Sequence, residues 1–318
     1  MPDYPIEGVA TSTTGFAGPT RYGPVEHPGG PSAVNPRVVS SFVEFERVYG
    51  GATDIRSPYV AQAARTFFEN GGTRLYVSRV FASRLDSHRV DHGVASYSIP
   101  VSGARATWRA RWPGSYGNAS VVVRAERTSL GGRVVPLHRG ALVEITSAGR
   151  PVDDGESPAR ANLAVSAIGR DGRQTFTRHG AEFTPNPTDV IRHLTLTATV
   201  TTDDNRMVSY SGLETDPEAS TFIGTILRLD DPQDPDAVVY FDFDPSKAAG
   251  PDVAANLMLA LLEHSTITLT GGHDGTVPTG MDLAKGLTAF EAIDEIAIVA
   301  LPDAGALTPD EGETATAA

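Results

Sequence analysis

The pattern of apolar residues changes twice along this chain, and that change constrains the fold more than any single motif. Residues 1–95 and 236–301 alternate helix-like segments, with apolar residues every three or four positions, and short apolar runs typical of buried strands. Residues 96–235 instead contain short strand-like runs separated by Gly, Pro and Asp. The sequence therefore predicts an α/β core domain built from both ends of the chain, a β-rich inserted domain, and an α+β fold overall.

The first part of the predicted core contains a short strand around Phe16, two helices and a buried strand. Ser41 and Glu44 form a capping-box pattern before the first helix, and a Gly-Gly pair stops it. Ser-Pro at 57–58 marks the start of the second helix. The apolar stripe of that helix and the strand after it are formed by Val60, Ala63, Ala64, Phe67 and Phe68, and by Leu75, Tyr76, Val77 and Val80.

The remaining elements follow from the same periodicities. In the insertion the sequence predicts one short helix at 188–194 and strands at 120–125, 141–146, 163–168 and 194–202. In the second part of the core it predicts helices at 252–263 and 281–292 and strands at 238–243, 266–270 and 295–301. Residues 302–318 show no periodicity and carry acidic residues, so they are expected to form a disordered acidic tail.

Charge is distributed unevenly along the chain. The net charge is −13, which argues against a nucleic-acid-binding surface over most of the protein. Residues 1–200 carry a net charge of +5 and residues 201–318 a net charge of −18. Two oppositely charged parts could stack head to tail on copies of the same chain, because complementary patches steer association. The alternative is a solvated acidic face.

Two absences limit the class of protein. The chain has no Cys, and its N-terminus lacks the basic start and apolar run of a signal peptide, so neither a disulfide scaffold nor secretion is expected. Its apolar stretches are interrupted by Gly, Pro or charged residues well before the roughly 20 residues that a membrane-spanning helix needs. We therefore expect a chain that is cytoplasmic when synthesised and that does not insert into a membrane.

Metal-ligand chemistry has one local candidate. Without Cys, a zinc site would need His and carboxylate ligands brought together by the fold. His88 and His92 are four residues apart, which on a helix would place both imidazoles on one face, with Asp91 beside them. The surrounding Ser, Arg and Gly residues favour a loop, and no Glu follows the first His. We predict no metal site and no cofactor.

The most site-like string is Gly-Gly-His-Asp-Gly at 271–275, after a predicted strand, because Gly allows positive φ and close backbone approach. It lacks the Lys and Ser/Thr of a phosphate-binding loop, and the chain has no Gly-x-Ser-x-Gly nucleophile motif. We predict a tight turn in which Asp274 accepts hydrogen bonds from its own backbone. The alternative is a hydrolase that uses His273 and Asp274. No catalytic residue is predicted.

Acidic pairs are frequent but do not form a calcium-binding pattern. Pro232 and Pro235 interrupt the longest acidic run, and the Gly turn and terminal bidentate acid of a calcium loop are missing. Solvated loops are therefore the prediction. The acidic residues concerned are Asp153, Asp154, Asp203, Asp204, Asp230, Asp231, Asp234, Asp236, Asp242 and Asp244.

Two tryptophans present another choice. Trp108 and Trp112 are four residues apart, with Arg109 and Arg111 between them. In a strand, alternation places both Trp on one face and both Arg on the other, which favours packing of the Trp side chains in a core. If both Trp were exposed, they could stack on sugars, and the β-rich domain would then be a carbohydrate-binding or surface-binding module.

Several strings resemble contractile tail sheath proteins, which form the tails of myophages and of phage-tail-like injection systems. The string FFENGGTRLYVSRV at 67–80 closely resembles the signature of that family. Similar strings occur in the order of the family, namely GVATSTTGFAGPTRYGPV at 8–25, SFVEFERVYGG at 41–51, PGSYGN at 113–118, LTGGHDG at 269–275 and LTAFEAIDEIAIVALPD at 287–303. The resemblance is sparse between residues 130 and 265.

The resemblance implies a structural protein and not an enzyme. A sheath subunit packs in rings around an inner tube and shortens on firing, with the energy stored in the extended assembly and no nucleotide hydrolysed. The implied partners are other sheath subunits, the inner tube protein and the baseplate, with no nucleic acid and no cofactor. The implied location is a virion tail or a phage-tail-like particle.

Two departures from the family pattern affect this interpretation. Family members usually begin with an extended arm, whereas only five residues precede Ile6 here. They also continue beyond the strand that matches 296–301 into a C-terminal domain that accepts arms from neighbours by strand addition. The sequence therefore also allows a truncated accessory sheath paralogue, or half of a split subunit, that does not polymerise alone.

Overall fold

The computed structural model describes residues 13–51, 59–86, 89–129, 137–147, 156–169 and 171–306. Its α-helices are α1 (Phe42–Tyr49), α2 (Tyr59–Glu69), α3 (Ile223–Ile226), α4 (Val253–Glu263) and α5 (Gly280–Thr288). Its strands are β1 (Thr13–Gly18), β2 (Arg37–Val39), β3 (Arg74–Arg79), β4 (Arg84–Asp86), β5 (Arg89–Asp91), β6 (Ser96–Val101), β7 (Ala104–Ala110), β8 (Ser120–Ser129), β9 (Leu142–Thr146), β10 (Leu163–Ile168), β11 (Gln174–Arg178), β12 (Ala181–Phe183), β13 (Val190–Thr201), β14 (Met207–Leu213), β15 (Val239–Phe243), β16 (Thr266–Thr268) and β17 (Ile298–Ala300). The fold is therefore a mixed, strand-rich α/β arrangement with several sheets.

The chain divides into two compact units, both of which are discontinuous. Within the described residues the first unit holds 13–94, 112–116 and 272–306, and the second holds 95–111 and 117–271. The sequence predicts that residues 236–271 belong to the core domain. In the structure this segment belongs to the second unit, because β15 pairs with β7 and α4 packs against β6, β8 and β10.

The two units carry net charges of the same sign. Residues 1–94, 112–116 and 272–318 contain 10 basic and 18 acidic residues, a net charge of −8. Residues 95–111 and 117–271 contain 16 basic and 21 acidic residues, a net charge of −5. The basic first part and the acidic second part of the sequence are therefore mixed in both units, and they do not correspond to two oppositely charged bodies.

The first unit is built on a four-stranded sheet in the order β17-β1-β3-β2. The pairs β17–β1 and β1–β3 are parallel, and β2 pairs antiparallel with β3. Helices α1 and α2 cover one face of this sheet, where Phe45, Tyr49 and Val60 pack with Leu75 and Val77. Each of these side chains is essentially inaccessible to water, so their burial is the main apolar contribution to the stability of this unit.

Helix α1 confirms the predicted N-terminal cap. The Ser41 hydroxyl accepts a hydrogen bond from the Glu44 N–H at 3.2 Å. The Glu44 carboxylate accepts from the N–H of Ser40 at 2.9 Å, one residue before the position that a capping box requires. The helix ends at Gly50, whose φ of +84° is readily adopted only by glycine.

Helix α2 is capped by a residue distant in sequence. The predicted start at 57–58 lies outside the described residues. Asp303 Oδ1 accepts from the Tyr59 N–H at 2.9 Å, and Oδ2 accepts from the Val60 N–H at 3.3 Å. Burial raises the pKa of Asp303, and these two hydrogen bonds oppose the rise.

The segment Pro302–Ala306 forms a 3-10 helix, so the predicted disordered tail does not begin at 302.

Helix α5 packs on the other face of the same sheet. The Ser78 hydroxyl of β3 donates to the Gly286 carbonyl oxygen at 2.7 Å. The predicted helix at 281–292 is shorter in the structure and ends at Thr288. The chain then turns so that the Phe290 ring lies against Gly15 of β1. The strand predicted at 295–301 is likewise limited to the three residues of β17.

The second unit contains an antiparallel eight-stranded sheet in the order β12-β11-β10-β9-β13-β8-β16, with β14 also paired to β13. Strand β13 is central, and its alternating Leu194, Leu196, Ala198 and Val200 are buried. The helix predicted at 188–194 is wrong. This segment is part of β13, which pairs with β8 along one edge and with β9 along the other. Pairing with distant strands overrides a weak local preference for helix.

A three-stranded antiparallel sheet, β15-β7-β6, completes the second unit. Helix α4 follows the predicted boundaries closely and buries Leu257, Met258 and Leu261. None of the helices in the described ranges is long and apolar enough to cross a membrane.

Candidate functional site

Arg79, at the end of β3, connects three segments of the first unit. Its side chain is buried. Nη1 donates to the Gly23 carbonyl oxygen at 2.8 Å, and Nη2 donates to the Pro113 carbonyl oxygen at 2.9 Å. One guanidinium thus ties the strand end to two loops that lie 56 and 34 residues away in the chain.

The positive charge of Arg79 is compensated mainly by the dipoles of the two carbonyl groups that accept its hydrogen bonds. Burial lowers the pKa of Arg79 to about 10, and the charge of Asp274 and the Tyr49 phenol oppose that shift. The group therefore remains charged at neutral pH. Among the described residues no carboxylate lies within ion-pair distance of it, and its Nε has no hydrogen-bond partner. A buried cation in this setting needs both carbonyl acceptors to be kept in place.

Asp274 links the Gly-rich segment at 271–275 to the turn at 113–116. Its Oδ1 accepts from the Ser115 N–H at 2.7 Å, and both carboxylate oxygens lie 2.9 Å from the Ser115 hydroxyl, which donates to them. The expectation that Asp274 accepts from its own backbone is therefore wrong. His273 Nδ1 makes the local bond instead, since it accepts from the Gly275 N–H at 3.1 Å.

Glycine is required at the end of this segment. Gly275 has a φ of +75°, and a Cβ there would overlap the carbonyl oxygen of Ala82. The segment can therefore lie against the chain that leaves β3, where Thr276 N–H donates to Ala82 at 2.9 Å. Residues 271–275 form no regular turn, so the predicted tight turn is not confirmed; the segment brings Asp274 to Ser115.

An aromatic pair closes the same cluster. The rings of Tyr22 and Tyr116 are stacked, with centroids 3.9 Å apart and an interplanar angle of 19°. The Tyr22 hydroxyl donates to the Glu46 carbonyl oxygen at 2.8 Å near the end of α1. Four strings of the sheath resemblance, at 8–25, 67–80, 113–118 and 269–275, therefore contribute to one connected cluster, which we call the Arg79 cluster (Tyr22, Gly23, Arg79, Pro113, Ser115, Tyr116 and Asp274).

His273, from the hydrolase alternative, and Asp91, from the metal-site alternative, lie next to each other. Asp91 accepts from the Gly93 N–H at 2.9 Å, and its other oxygen lies 3.2 Å from His273 Nε2. The Gly93 N–H, and then His273, hold the pKa of Asp91 below its ordinary value. Both oxygens of Asp274 accept from Ser115, and His273 Nδ1 accepts from Gly275, whereas the buried His273 Nε2 makes no hydrogen bond among the described residues.

The proposed metal ligands point to different partners. His92 Nδ1 lies 2.9 Å from the Ser83 hydroxyl, whereas Asp91 contacts Gly93 and His273. His88 lies outside the described residues. In the part of the chain that the structure describes, no group of three His, Asp or Glu side chains could hold a metal ion.

Several of the acidic residues are held by nearby polar groups, and Asp242 lies on β15 and not in a loop as predicted. Asp204 accepts from the Thr202 hydroxyl at 2.5 Å, and Asp231 lies 3.1 Å from the Arg228 guanidinium. Asp234 accepts from the Tyr210 hydroxyl at 2.8 Å, and Asp244 caps the turn that follows β15. Asp153 and Asp154 lie outside the described residues.

The two tryptophans are in different environments. Trp108, on β7, is completely buried, and its ring packs edge to face against Phe241 with centroids 4.9 Å apart. Trp112 lies after the end of β7 and is partly buried. Arg109 is exposed but Arg111 is buried, so the predicted alternation does not continue beyond β7. Trp108 cannot stack on a sugar, which removes the feature on which the carbohydrate-binding alternative depends.

Sequence reasoning did not single out Arg79 as a functional residue. The available signal was an Arg at the end of this strand on the same face as the apolar Leu75 and Val77. Comparison of the chain with protein-family models, with curated proteins and with solved structures finds no match. The functional conclusion therefore depends on the sequence strings and on the geometry of the two units.

Replacement of Arg79 by methionine is expected to lower the free energy of unfolding of the first unit by about 2 kcal/mol. Two buried carbonyl oxygens, of Gly23 and Pro113, lose a charged donor, while removal of a poorly compensated charge recovers part of the loss. Urea unfolding followed by circular dichroism measures the change.

Arg74→Met is the matched control, because Arg74 begins the same strand in an exposed ion pair with Glu295. We expect a loss of less than about 1 kcal/mol for this variant. Equal losses for the two variants would show that the contacts of Arg79 do not stabilise the cluster.

Proposed function

We propose that this chain is a structural subunit of a contractile tail sheath, in a phage tail or a phage-tail-like injection system. The observation that carries the proposal is the convergence of four sheath-like strings on the Arg79 cluster. The four strings are far apart in sequence, yet each supplies a turn or a strand end to the Arg79 cluster. This is expected if the strings together determine one fold.

The sheet of the first unit also offers a surface for assembly. Within the described residues β17 pairs only with β1, so its outer edge is open. Ile298 is 47% exposed and Val299 is 49% exposed, although their side chains point to opposite faces of the sheet. An open edge with half-exposed apolar side chains favours pairing with a strand of another chain.

In this proposal the function is mechanical. Subunits contact other sheath subunits, an inner tube and a baseplate, and the extended assembly stores the energy of contraction. Edge pairing supplies backbone hydrogen bonds that can persist while the subunits rotate, since these bonds depend little on side-chain identity. The Arg79 cluster then keeps the loops of the first unit rigid.

Negative-stain electron microscopy of the purified protein, alone and mixed with a full-length sheath subunit, tests the proposal. We expect rings or tubules in the mixture. Tubules formed by the chain alone would make it a self-sufficient sheath, and tubules formed only in the mixture would make it an accessory subunit. Monomers under both conditions would contradict the proposal.

The edge variant Val299→Lys tests the surface that assembly uses. A charge on an open edge opposes strand addition, so incorporation into tubules is expected to fall at least about tenfold, while the melting temperature changes little. Val43→Lys is the control, because Val43 on α1 is 75% exposed and lies away from a sheet edge. Equal incorporation of both variants would exclude this edge as the contact.

A further inference from the structure

A buried carboxylate of the second unit lies between two imidazoles. Glu214 directly follows β14, and its side chain is 8% exposed. Its Oε1 accepts from Nε2 of His193, on β13, at 2.8 Å. Its Oε2 lies 3.4 Å from Nε2 of His138 and accepts a hydrogen bond from the Thr221 hydroxyl. Three segments that are distant in sequence therefore meet on one side chain.

The histidines differ in their access to water. His193 is 19% exposed and His138 is 45% exposed. An ionised carboxylate can only accept hydrogen bonds, so His193 carries a proton on Nε2 while this contact exists. Protonation of either ring places a full positive charge next to Glu214 and makes the contact a charge-assisted one.

Two further acidic groups face this cluster. Asp216 accepts from the Glu218 N–H at 3.2 Å, and burial raises the pKa of Asp216, with the charges of Glu218 and Glu214 adding to the rise. A Cβ at Gly140 would overlap a carboxylate oxygen of Asp216, so glycine allows the segment that carries His138 to lie against this turn. The same segment is fixed by the Gly140 N–H, which donates to the Ser166 carbonyl oxygen at 2.8 Å.

We propose that Glu214, His193 and His138 form a pH-sensitive clamp, which holds residues 137–141 against the sheet while Glu214 is ionised and releases them in acid. Protonation of Glu214 removes the negative charge that holds both rings, whose centroids are 6.4 Å apart. The clamp does not depend on the sheath proposal.

The direction of the pH effect follows from the environment of Glu214. Burial by itself would raise the pKa of Glu214, but hydrogen bonds from His193 and Thr221 and the charge of His138 hold it below its ordinary value. A carboxyl group with a depressed folded pKa stabilises the fold above its unfolded pKa, which is about 4.3, and this contribution is lost as the pH falls through the folded value. The clamp is therefore closed at neutral pH and opens as the pH falls through the depressed pKa of Glu214.

Hydrogen exchange of the Gly140 and Ala141 amides tests the clamp, with rates corrected for their intrinsic pH dependence. Protection in the parent protein is expected to fall several-fold between pH 7 and pH 3.5, and by no more than roughly sevenfold, because one carboxyl group with an unfolded pKa of about 4.3 can contribute no more over this interval. Glu214→Gln is expected to show the lower protection already at pH 7, with no further change in acid. Glu218→Gln, on the same turn, should keep the parent profile. A parent-like profile in Glu214→Gln would overturn the proposal.

His138→Gln gives a second, milder test, since His138 is half exposed and its replacement leaves the buried bond to His193 intact. Loss of a cation near Glu214 should move the loss of protection to higher pH. An unchanged midpoint would contradict a role for His138 in the clamp.

Discussion

Replacing Arg127 by methionine is expected to lower the free energy of unfolding of the second unit by about 3–5 kcal/mol. Arg127 Nε lies 2.8 Å from Glu144 Oε2, and the two side chains are only 2% and 3% exposed. Removal of the cation leaves the Glu144 carboxylate buried without a counter-charge, which is much more costly than loss of an exposed ion pair. Arg127 Nη2 also donates to the Glu156 carbonyl oxygen at 2.6 Å, and that bond is lost as well.

The double variant Arg127→Met/Glu144→Leu separates the two causes. If the cost comes from an uncompensated charge, an apolar pair of similar volume should recover most of the stability, because buried ion pairs contribute little beyond such a pair. Chemical denaturation of the parent, the single variant and the double variant gives the comparison. A double variant as unstable as Arg127→Met would mean that the loss of stability comes from the packing of the guanidinium and not from its charge.

Replacing Trp108 by alanine is expected to lower the free energy of unfolding of the second unit by about 3–5 kcal/mol, the usual cost of removing a buried large aromatic side chain. The ring is completely buried on β7 and contacts Phe241 of β15, so alanine leaves a cavity between two paired strands. Urea unfolding monitored by circular dichroism measures the loss.

Trp108→Phe is the control for this experiment. Phenylalanine keeps an aromatic ring against Phe241 and removes the Trp108 Nε1 donor, which is buried without an acceptor in the described residues. The loss should therefore be well below half of that of Trp108→Ala. If Trp108→Ala were instead as stable as the parent but lost binding to a glycan array, the carbohydrate-binding alternative would be restored.

Local structure was predictable where short-range chemistry determines it. The cap at Ser41, the glycine stop after α1 and the apolar faces of α2 and α4 all depend on residues within a few positions of each other. The helix predicted at 188–194 failed for the opposite reason. Its conformation is determined by pairing with β8 and β9, and those strands lie about 45–70 residues earlier in the chain.

The Arg79 cluster was only partly predictable. Its turns could be recognised from Gly and Pro, and the strings that contain them resemble those of one family. The contact of Asp274 with Ser115 crosses 159 residues, and the acceptors of Arg79 are backbone carbonyls, which carry no sequence signal. The same holds for Asp303, whose role as the cap of α2 depends on a contact across 244 residues.

The pairing of β1 with β17 has a consequence for biosynthesis. Thr14 is matched with Ile298, so the sheet of the first unit joins segments that leave the ribosome at widely separated times. The second unit consists of residues made before β17, and it can fold while β1 still waits for its neighbour. During that interval β1 has a free edge, and closing the long loop between the two strands is slow. A nascent chain therefore carries an unpaired edge of β1 until residue 298 has been made.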